Sequence, residues 1–298
     1  MSNEMAATTR YSQAGDEFLF VELNEEMTLE AFFLSISITQ KLRDLALPGI
    51  IEICPANASY QVRYNPDVIS ASQLQNKLEA LEQEVDSQQV RTLETRVIEV
   101  PVLYRDPWTH ETLMRFRDHH QDPSATDLEY AARINGYNTV DSFIEAHSAT
   151  PWFVSMVGFV AGLPFMYQMV PRERQIQVPK YLRPRTDTPK QTVGIGGCFS
   201  VIYSVRGAGG YQMFGVTPMP IYDPANEHPH IDSSMIYFRP GDIVKYRAVE
   251  REEYDALLAV AEKGQFKPKI SPFTFDLDAF NQDPDGYARR VKEALYEH

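Results

Sequence analysis

An α+β chain in two domains is what this sequence predicts, and three observations carry the prediction. Between residues 17 and 103, period-two and helical apolar patterns alternate in the order strand, helix, strand, strand, helix, strand. After Trp152, short strand-like runs separated by glycine and proline dominate. The length of 298 residues, with 43% hydrophobic content, suits two domains of roughly 100–200 residues each.

The first 15 residues are polar and lack a helix start, so they are expected to be disordered. Residues 17–23 read as a strand. Residues 28–45 read as a helix, with Leu29, Phe32, Phe33, Ile36 and Leu42 in register and Leu47-Pro48-Gly49 as its stop. Residues 50–54 and 60–64 flank a turn at Pro55-Ala56-Asn57, and the second of these strands alternates Tyr60, Val62 and Tyr64 with Gln61 and Arg63. Ser70 and Gln73 form a capping box ahead of a helix whose buried stripe is Leu74, Leu78, Leu81 and Val85. Residues 96–103 close the set as a strand. The order β-α-β-β-α-β is the ferredoxin-like arrangement, two helices on one face of a four-stranded antiparallel sheet, and it assigns residues 16–98 to a ferredoxin-like domain.

Residues 99–298 form the second domain. Residues 108–120 read as a helix, Thr126 and Glu129 cap another that ends at Gly136, and residues 139–147 form a third. Strands are expected at residues 152–160, 193–203, 211–216, 235–238 and 243–248, a helix at 250–263, a strand at 271–277 and a last helix at 287–296. So many short strands predict a closed or nearly closed β-barrel with helices at one side.

Charge and composition narrow the function. Twenty-eight Lys and Arg against 41 Asp and Glu give a formal net charge of −13, which repels nucleic-acid phosphates. No apolar run approaches the roughly 20 residues of a membrane span, and residues 1–17 lack the regions of a signal peptide, so no membrane contact and a cytoplasmic location are expected. Cys54 and Cys198 are isolated, which argues against a zinc site or a disulfide framework.

The most informative stretch is residues 184–220, where Gly196-Gly197 and Gly207-Ala208-Gly209-Gly210 bracket strand-like segments. Missing side chains let a backbone approach a ligand, so these glycines are either a site built from main-chain N–H groups or only the turn of a hairpin joining residues 201–205 to 211–216. No helix follows, which argues against dinucleotide binding. His228, His230 and Asp232 alternate along Glu227-His-Pro-His-Ile-Asp232, a pattern suited to a metal, yet a solvated loop is the preferred reading and no metal is assigned. His110, His119 and His120 are assigned to a wet helix face. His147 ends a helix before an apolar strand, which would set an imidazole at the barrel rim as a general base or as a charged cap. Arg183 and Arg185, held extended by Pro184, suit a carboxylate, carbamate or phosphate, or else pair with Asp187. Cys198 has no His or Asp nearby to activate it and reads as a small strand residue.

At Gly158-Phe-Val-Ala-Gly-Leu-Pro-Phe165, followed by Arg183-Pro184-Arg185, Val193-Gly-Ile-Gly-Gly197, Ile202-Tyr203 and Gly209-Gly210-Tyr211-Gln212-Met213-Phe214-Gly215-Val216-Thr217-Pro218, the chain resembles the KipI family. Members are described as the B-type subunit of 5-oxoprolinase, allophanate hydrolase subunit 1 or the carboxyltransferase half of urea carboxylase. The likeness extends to Gly15-Asp16 and Leu47-Pro48-Gly49-Ile50-Ile51-Glu52 and so covers most of the chain. Asp127-Leu-Glu-Tyr-Ala-Ala-Arg-Ile-Asn-Gly136 looks more like the urea carboxylase branch, residues 158–165 more like 5-oxoprolinase.

The resemblance implies a small N-terminal α/β domain joined to a cyclophilin-like barrel. It also implies a KipA-like partner (the C-type subunit of 5-oxoprolinase, or allophanate hydrolase subunit 2) that completes the active site, with no cofactor bound by this chain and with ATP, and biotin where carboxylation is the route, supplied by partner subunits. The expected function is one subunit of a heteromeric carboxyltransferase or ATP-dependent amidohydrolase acting on a small amide, lactam or urea-like substrate. In that reading His147 handles the proton and Arg185 orients a carboxylate or carbamate. Gly196, Gly197, Gly209 and Gly210 supply amide donors, while Phe159, Phe165, Tyr211 and Gln212 complete the substrate site. The alternative is a regulatory binding protein, a histidine-kinase inhibitor like the one for which the family is named.

Overall fold

The computed structural model describes residues 9–88 and 91–296. It divides the chain into two compact units, one of Met1–Leu93 with Phe275–Asp278 and one of Glu94–Thr274 with Ala279–His298.

In the first unit the strands β1 (Arg10–Gln13), β2 (Phe18–Glu22), β3 (Ile50–Ala56) and β4 (Ser59–Tyr64) form an antiparallel sheet in the order β1-β2-β4-β3. Helix α1 (Leu29–Asp44) starts at Thr28, whose side chain accepts from the Ala31 amide, and α2 (Ala71–Gln88) starts at the expected Ser70–Gln73 box. Register pairs Leu19 with Val62 and Val21 with Tyr60. These residues share one buried core with Ile38, Leu42, Leu74, Leu78, Leu81 and Val85 of the helices.

Two expectations change here. Residues 10–13, assigned to a disordered tail, form β1, because main-chain pairing with β2 and a hydrogen bond from Tyr11 Oη to Glu82 Oε2 (2.8 Å) order a segment that has little apolar content. Residues 1–8 of that tail lie outside the described residues. The strand expected to close the ferredoxin-like set, β5 (Thr92–Tyr104), is not in this sheet. From Val97 to Tyr104 it is buried on both faces, the mark of a strand inside a covered sheet, and it pairs in the second one. The unit therefore runs β-β-α-β-β-α.

In the second unit, α3 (Pro107–Arg115), α4 (Asp127–Ile134) and α5 (Val140–Ala149) precede β6 (Pro151–Val157), β7 (Pro164–Gln168), β8 (Arg185–Thr188), β9 (Thr192–Gly196), β10 (Phe199–Ile202), β11 (Gly207–Gly209), β12 (Gln212–Val216) and β13 (Ile243–Ala248). Helix α6 (Arg251–Ala261), β14 (Ile270–Asp276), α7 (Leu277–Gln282) and α8 (Pro284–Tyr296) follow along the chain, with Phe275–Asp278, at the junction of β14 and α7, counted in the first unit. The large sheet has the order β12-β9-β10-β7-β6-β13-β5-β14. A further pairing of Gly215 and Val216 with Tyr104 and Leu103 joins β12 to β5 and closes it on itself. Val100, Val102, Trp152, Val154, Met166, Val193, Ile195, Ile202, Phe214, Val244 and Tyr246 fill the buried core.

Closure requires bare backbone. A methyl group on Gly215 would strike the Leu103 carbonyl, and one on Gly194 the Gln212 carbonyl. The expected single strand over residues 193–203 is a hairpin, β9 and β10, turned at Gly197 with φ 65°. β12 pairs with β9 and β5 rather than with β10, so the glycine-rich segment is not a turn between β10 and β12. Within residues 235–238 only Ile236 forms a bridge, to Tyr222. Helix α3 stops at Arg115, and a 3-10 turn over Arg117–His119 replaces its expected last turn.

Candidate functional site

One cavity of about 400 Å3 in the second unit gathers much of what the sequence singled out. Its walls are Phe159 and Leu163 from the β6–β7 loop, Phe165 of β7, Val201 of β10, Tyr203, and Ala208, Gly209, Gly210 and Tyr211 around β11. The segment before β8 adds Lys180, Tyr181 and Pro184. Register sets Val201 directly across from Phe165, so one face of the β7–β10 pair forms the apolar floor. Phe165 and Tyr211 meet edge to face with ring centroids 6.2 Å apart. Lys180 brings the charge, its ammonium 5.3 Å from the Tyr211 ring centroid.

The glycines divide by role. Gly209 and Gly210 line the cavity. Gly196 lies beneath it, since a methyl group there would overlap the Tyr211 ring. Gly197 is a turn residue whose amide donates to Val178 O (2.7 Å) and is therefore not free to bind a ligand. Gly209 packs against the oxygen of the Tyr203 phenol, where a methyl group would collide with it, and the amides of Gly210 and Tyr211 influence the titration of that phenol. Burial raises the pKa of that phenol, while the Arg185 guanidinium and these two amides oppose the rise.

Neither residue expected to be catalytic lines this cavity. Arg185, with 0% exposure, is sealed behind it, its guanidinium 4.3 Å from the Tyr181 ring centroid and facing Thr188 Oγ1 through Nε (3.4 Å) and Nη2 (3.3 Å). Its Nη1 has no partner. Asp187, its alternative partner, instead holds Arg206 (2.7 Å) and Arg115 (2.9 Å), and Arg183 pairs with Asp118 (2.9 Å). His147, also at 0% exposure, is stacked on Tyr246 at 4.8 Å among Phe143, Trp152 and Phe214, not at a rim. Its Nδ1 is 2.8 Å from Tyr104 Oη and its Nε2 has no partner. Burial, helped by the charge of Lys245, pushes its pKa down to about 3, so it is a neutral core imidazole.

Sequence reasoning missed a buried polar chain behind the cavity. Asp127, at the start of α4, accepts from Tyr181 Oη (2.7 Å) and from the Met213 amide (2.5 Å). His120 Nε2 lies 3.3 Å from Asp127 Oδ1 and 2.7 Å from Gln212 Oε1. Gln212 Nε2 donates to Pro179 O (3.0 Å), so this side chain braces the wall and is not a member of the cavity lining. His120, expected on a wet helix face, is fully buried. Burial lowers its pKa, but the hydrogen bond and charge of Asp127 outweigh that and raise it. The Thr126 capping box is legible in the sequence and locates Asp127, but not what its carboxylate faces.

The histidine loop forms no metal cluster among the described residues. His230 Nε2 is 3.0 Å from the Pro220 carbonyl, and Asp232 pairs with Arg239 (2.8 Å). Cys198 is half-buried, and burial pushes its thiol up, away from nucleophilic use. Among the described residues no helix is long and apolar enough to cross a membrane.

Comparison with known proteins agrees with the resemblance read from the sequence. The model of the carboxyltransferase domain, subdomain C and D, matches residues 9–231. The chain is 27% identical over 259 residues to the B-type subunit of the Bacillus subtilis 5-oxoprolinase, covering 84% of this chain and 97% of that one. It is 26% identical over 278 residues to the urea amidolyase of Lachancea kluyveri, covering 92% of this chain but spanning only 15% of that protein. In fold it matches the crystal structure of the K. lactis urea amidolyase with a TM-score of 0.82 at 23% identity, over 99% of this chain and 18% of that one. The K. lactis urea carboxylase gives 0.81, over 96% and 26%. With a family match across most of its length, the chain belongs to the carboxyltransferase-domain family, of which it carries subdomains C and D.

Proposed function

We propose that this chain is one subunit of a heteromeric carboxyltransferase or ATP-dependent amidohydrolase, of the 5-oxoprolinase or urea carboxylase kind, and that the aromatic cavity holds its small amide, lactam or urea-like substrate. In this reading the closed sheet is the cyclophilin-like barrel of the family. The observation that carries the proposal is the meeting of Phe159, Phe165, Gly209, Gly210 and Tyr211 around one cavity with a single ammonium group, that of Lys180, in its lining. Flat apolar walls with few polar groups suit a small planar ligand and exclude water from it. Phe159 supports it further. At φ 69° and 69% exposed, it holds a left-handed backbone that costs a bulky residue about 1–2 kcal/mol, a strain typical of sites where a side chain must point at a ligand or partner.

ATP does not fit the glycine-rich segment. Gly207 and Gly209 are paired in β11 with β8, and the segment leads into the strand β12 and not into a helix, so it lacks the loop-to-helix cradle of a phosphate site. ATP, and biotin where it takes part, fall in this proposal to other polypeptides, as does completion of the site by a KipA-like subunit. The test is reconstitution. The purified chain mixed with a KipA-like subunit and its companions is expected to co-elute and to turn over 5-oxoproline or urea in an ATP-dependent way. Phe165→Ala and Tyr211→Ala should each lower kcat/KM at least about tenfold through lost apolar contact with the substrate. Co-elution with a histidine kinase alone, without turnover, would replace this reading by a regulatory one.

A further inference from the structure

We propose that His120 is a positioning residue of the cavity, and that gain of a proton at its Nδ1 tightens the Lys180–Tyr181 wall through Asp127. The inference rests on the cavity being the ligand site. Tyr181 lines that cavity, and its hydroxyl donates to Asp127 Oδ1 (2.7 Å). Pro179, just ahead of this wall, accepts from Gln212 Nε2 (3.0 Å). His120 Nε2 meets both braces, 3.3 Å from Asp127 Oδ1 and 2.7 Å from Gln212 Oε1.

Hydrogen-bond accounting fixes the tautomer. Because the side-chain nitrogen of Gln212 donates to Pro179, its oxygen is what faces the imidazole. Nε2 thus sees only acceptors and carries a proton in either charge state. Nδ1 is different. It lies 2.9 Å from the Asp122 amide and 2.7 Å from the Asp122 carbonyl, so it accepts from the amide in the neutral ring and donates to the carbonyl in the imidazolium. Both forms are satisfied there, and the difference left is one of charge. That charge matters to Asp127, which is 2% exposed and in ion-pair contact with no other basic group among the described residues. Without it a buried carboxylate is uncompensated, and the anchor of Tyr181 weakens.

The groups packed on the ring agree with this assignment. Tyr130 and Tyr181 meet it edge to face at 5.2 and 4.9 Å, while the Asp122 carboxylate is taken by Ser124 (2.6 Å) and Arg133 (2.5 Å). Arg185 stacks on Tyr181, not on His120. Burial disfavours the cation, but the hydrogen bond and charge of Asp127 outweigh it and lift the titration above the ordinary histidine value near 6.5. The tightening is therefore present below about pH 6.5 and is lost as pH rises through the raised value.

Histidine-15N spectra of the full chain at pH 6 and pH 9, assigned through backbone connectivity, test the switch. His120 is expected to carry protons on both nitrogens at pH 6 and on Nε2 alone at pH 9, and Asp127→Asn to bring its titration to lower pH. A ring that keeps its Nδ1 proton when neutral, or one that titrates alike in Asp127→Asn, overturns the assignment. Hydrogen exchange reads the wall, at the amides of Tyr181, which donates to Gly210 O (2.7 Å), and of Met213, which donates to Asp127. Corrected for intrinsic rates, both should lose protection from pH 6 to pH 9 in the wild type and not in His120→Gln, which keeps a neutral donor and cannot titrate. With 2-pyrrolidinone as a probe that does not titrate, wild-type affinity is expected to fall about fivefold over the same range, the low end of coupling between two sites, and that of His120→Gln to stay constant. Equal pH responses in the two proteins remove His120 from the positioning role while the cavity stands. No binding of 2-pyrrolidinone at either pH sinks the cavity reading and the positioning role with it.

Discussion

His147 shows how one residue type carries opposite chemistry in two settings. At a rim it would titrate near neutrality, whereas here five aromatic side chains surround it and its protonated form has no counter-ion among the described residues. The folded pKa, pushed down to about 3, lies below that of an unfolded histidine near 6.5, so the unfolded chain binds the proton first as pH falls. The stability that neutral His147 contributes is thus complete above about pH 6.5 and declines below it by about 1.4 kcal/mol per pH unit until the folded pKa is approached. Urea unfolding at pH 7 and pH 5 checks this against His147→Phe. The variant is expected to be about 1–3 kcal/mol less stable at pH 7, because Tyr104 Oη loses its partner, and the gap should narrow by pH 5. A gap independent of pH would show that the imidazole is not held neutral. The sequence displays the histidine and the helix end, but the aromatic enclosure is assembled from β12, β13 and β6, which no local pattern announces.

At the scale of elements, local signals are the reliable ones. The Thr126–Glu129 box forms as its spacing predicts, the Glu129 carboxylate accepting from the Thr126 amide at 2.7 Å and Thr126 Oγ1 accepting from the Glu129 amide at 3.2 Å. Helix α4 has only eight residues, and its first residue is Asp127, so the cap also anchors the carboxylate that Tyr181 and the Met213 amide require. Thr126→Ala is expected to lower stability by about 1 kcal/mol, measured as a shift of the urea midpoint at unchanged m-value. A loss within about 0.3 kcal/mol would mean that Tyr181 and Met213 hold Asp127 without help from the cap. The glycine-rich hairpin fails for the complementary reason. Turn chemistry at residues 206–210 allows a hairpin, but β12 finds its partners in β9 and β5, whose paired positions lie 17 to 113 residues away along the chain, and glycine spacing carries no record of such pairings.

For the whole second unit, closure of the sheet decides whether the cavity has a stable floor. Strand density alone forecasts a closed or nearly closed barrel, and it cannot assign β5 because a strand buried on both faces reads the same in either sheet. The seam is made by two residue pairs, Gly215 with Tyr104 and Val216 with Leu103, at a point where the β12–β9 register also shifts. There the Leu103 carbonyl occupies the space that any side chain on Gly215 would need, and backbone on both sides cannot swing away as a surface side chain can. Gly215→Val is therefore expected to destabilise the unit by about 3 kcal/mol, at the upper end of overpacking effects, and to increase hydrogen exchange at the amides of β12 and at Leu103 to Arg105 ahead of the rest of the barrel. Gly207→Ala is the matched control, since a methyl group there meets nothing within 4 Å, and it should change stability by no more than about 0.5 kcal/mol. Equal losses in the two variants, or exchange in Gly215→Val that rises uniformly over the sheet, would mean that the seam is not the point on which closure depends.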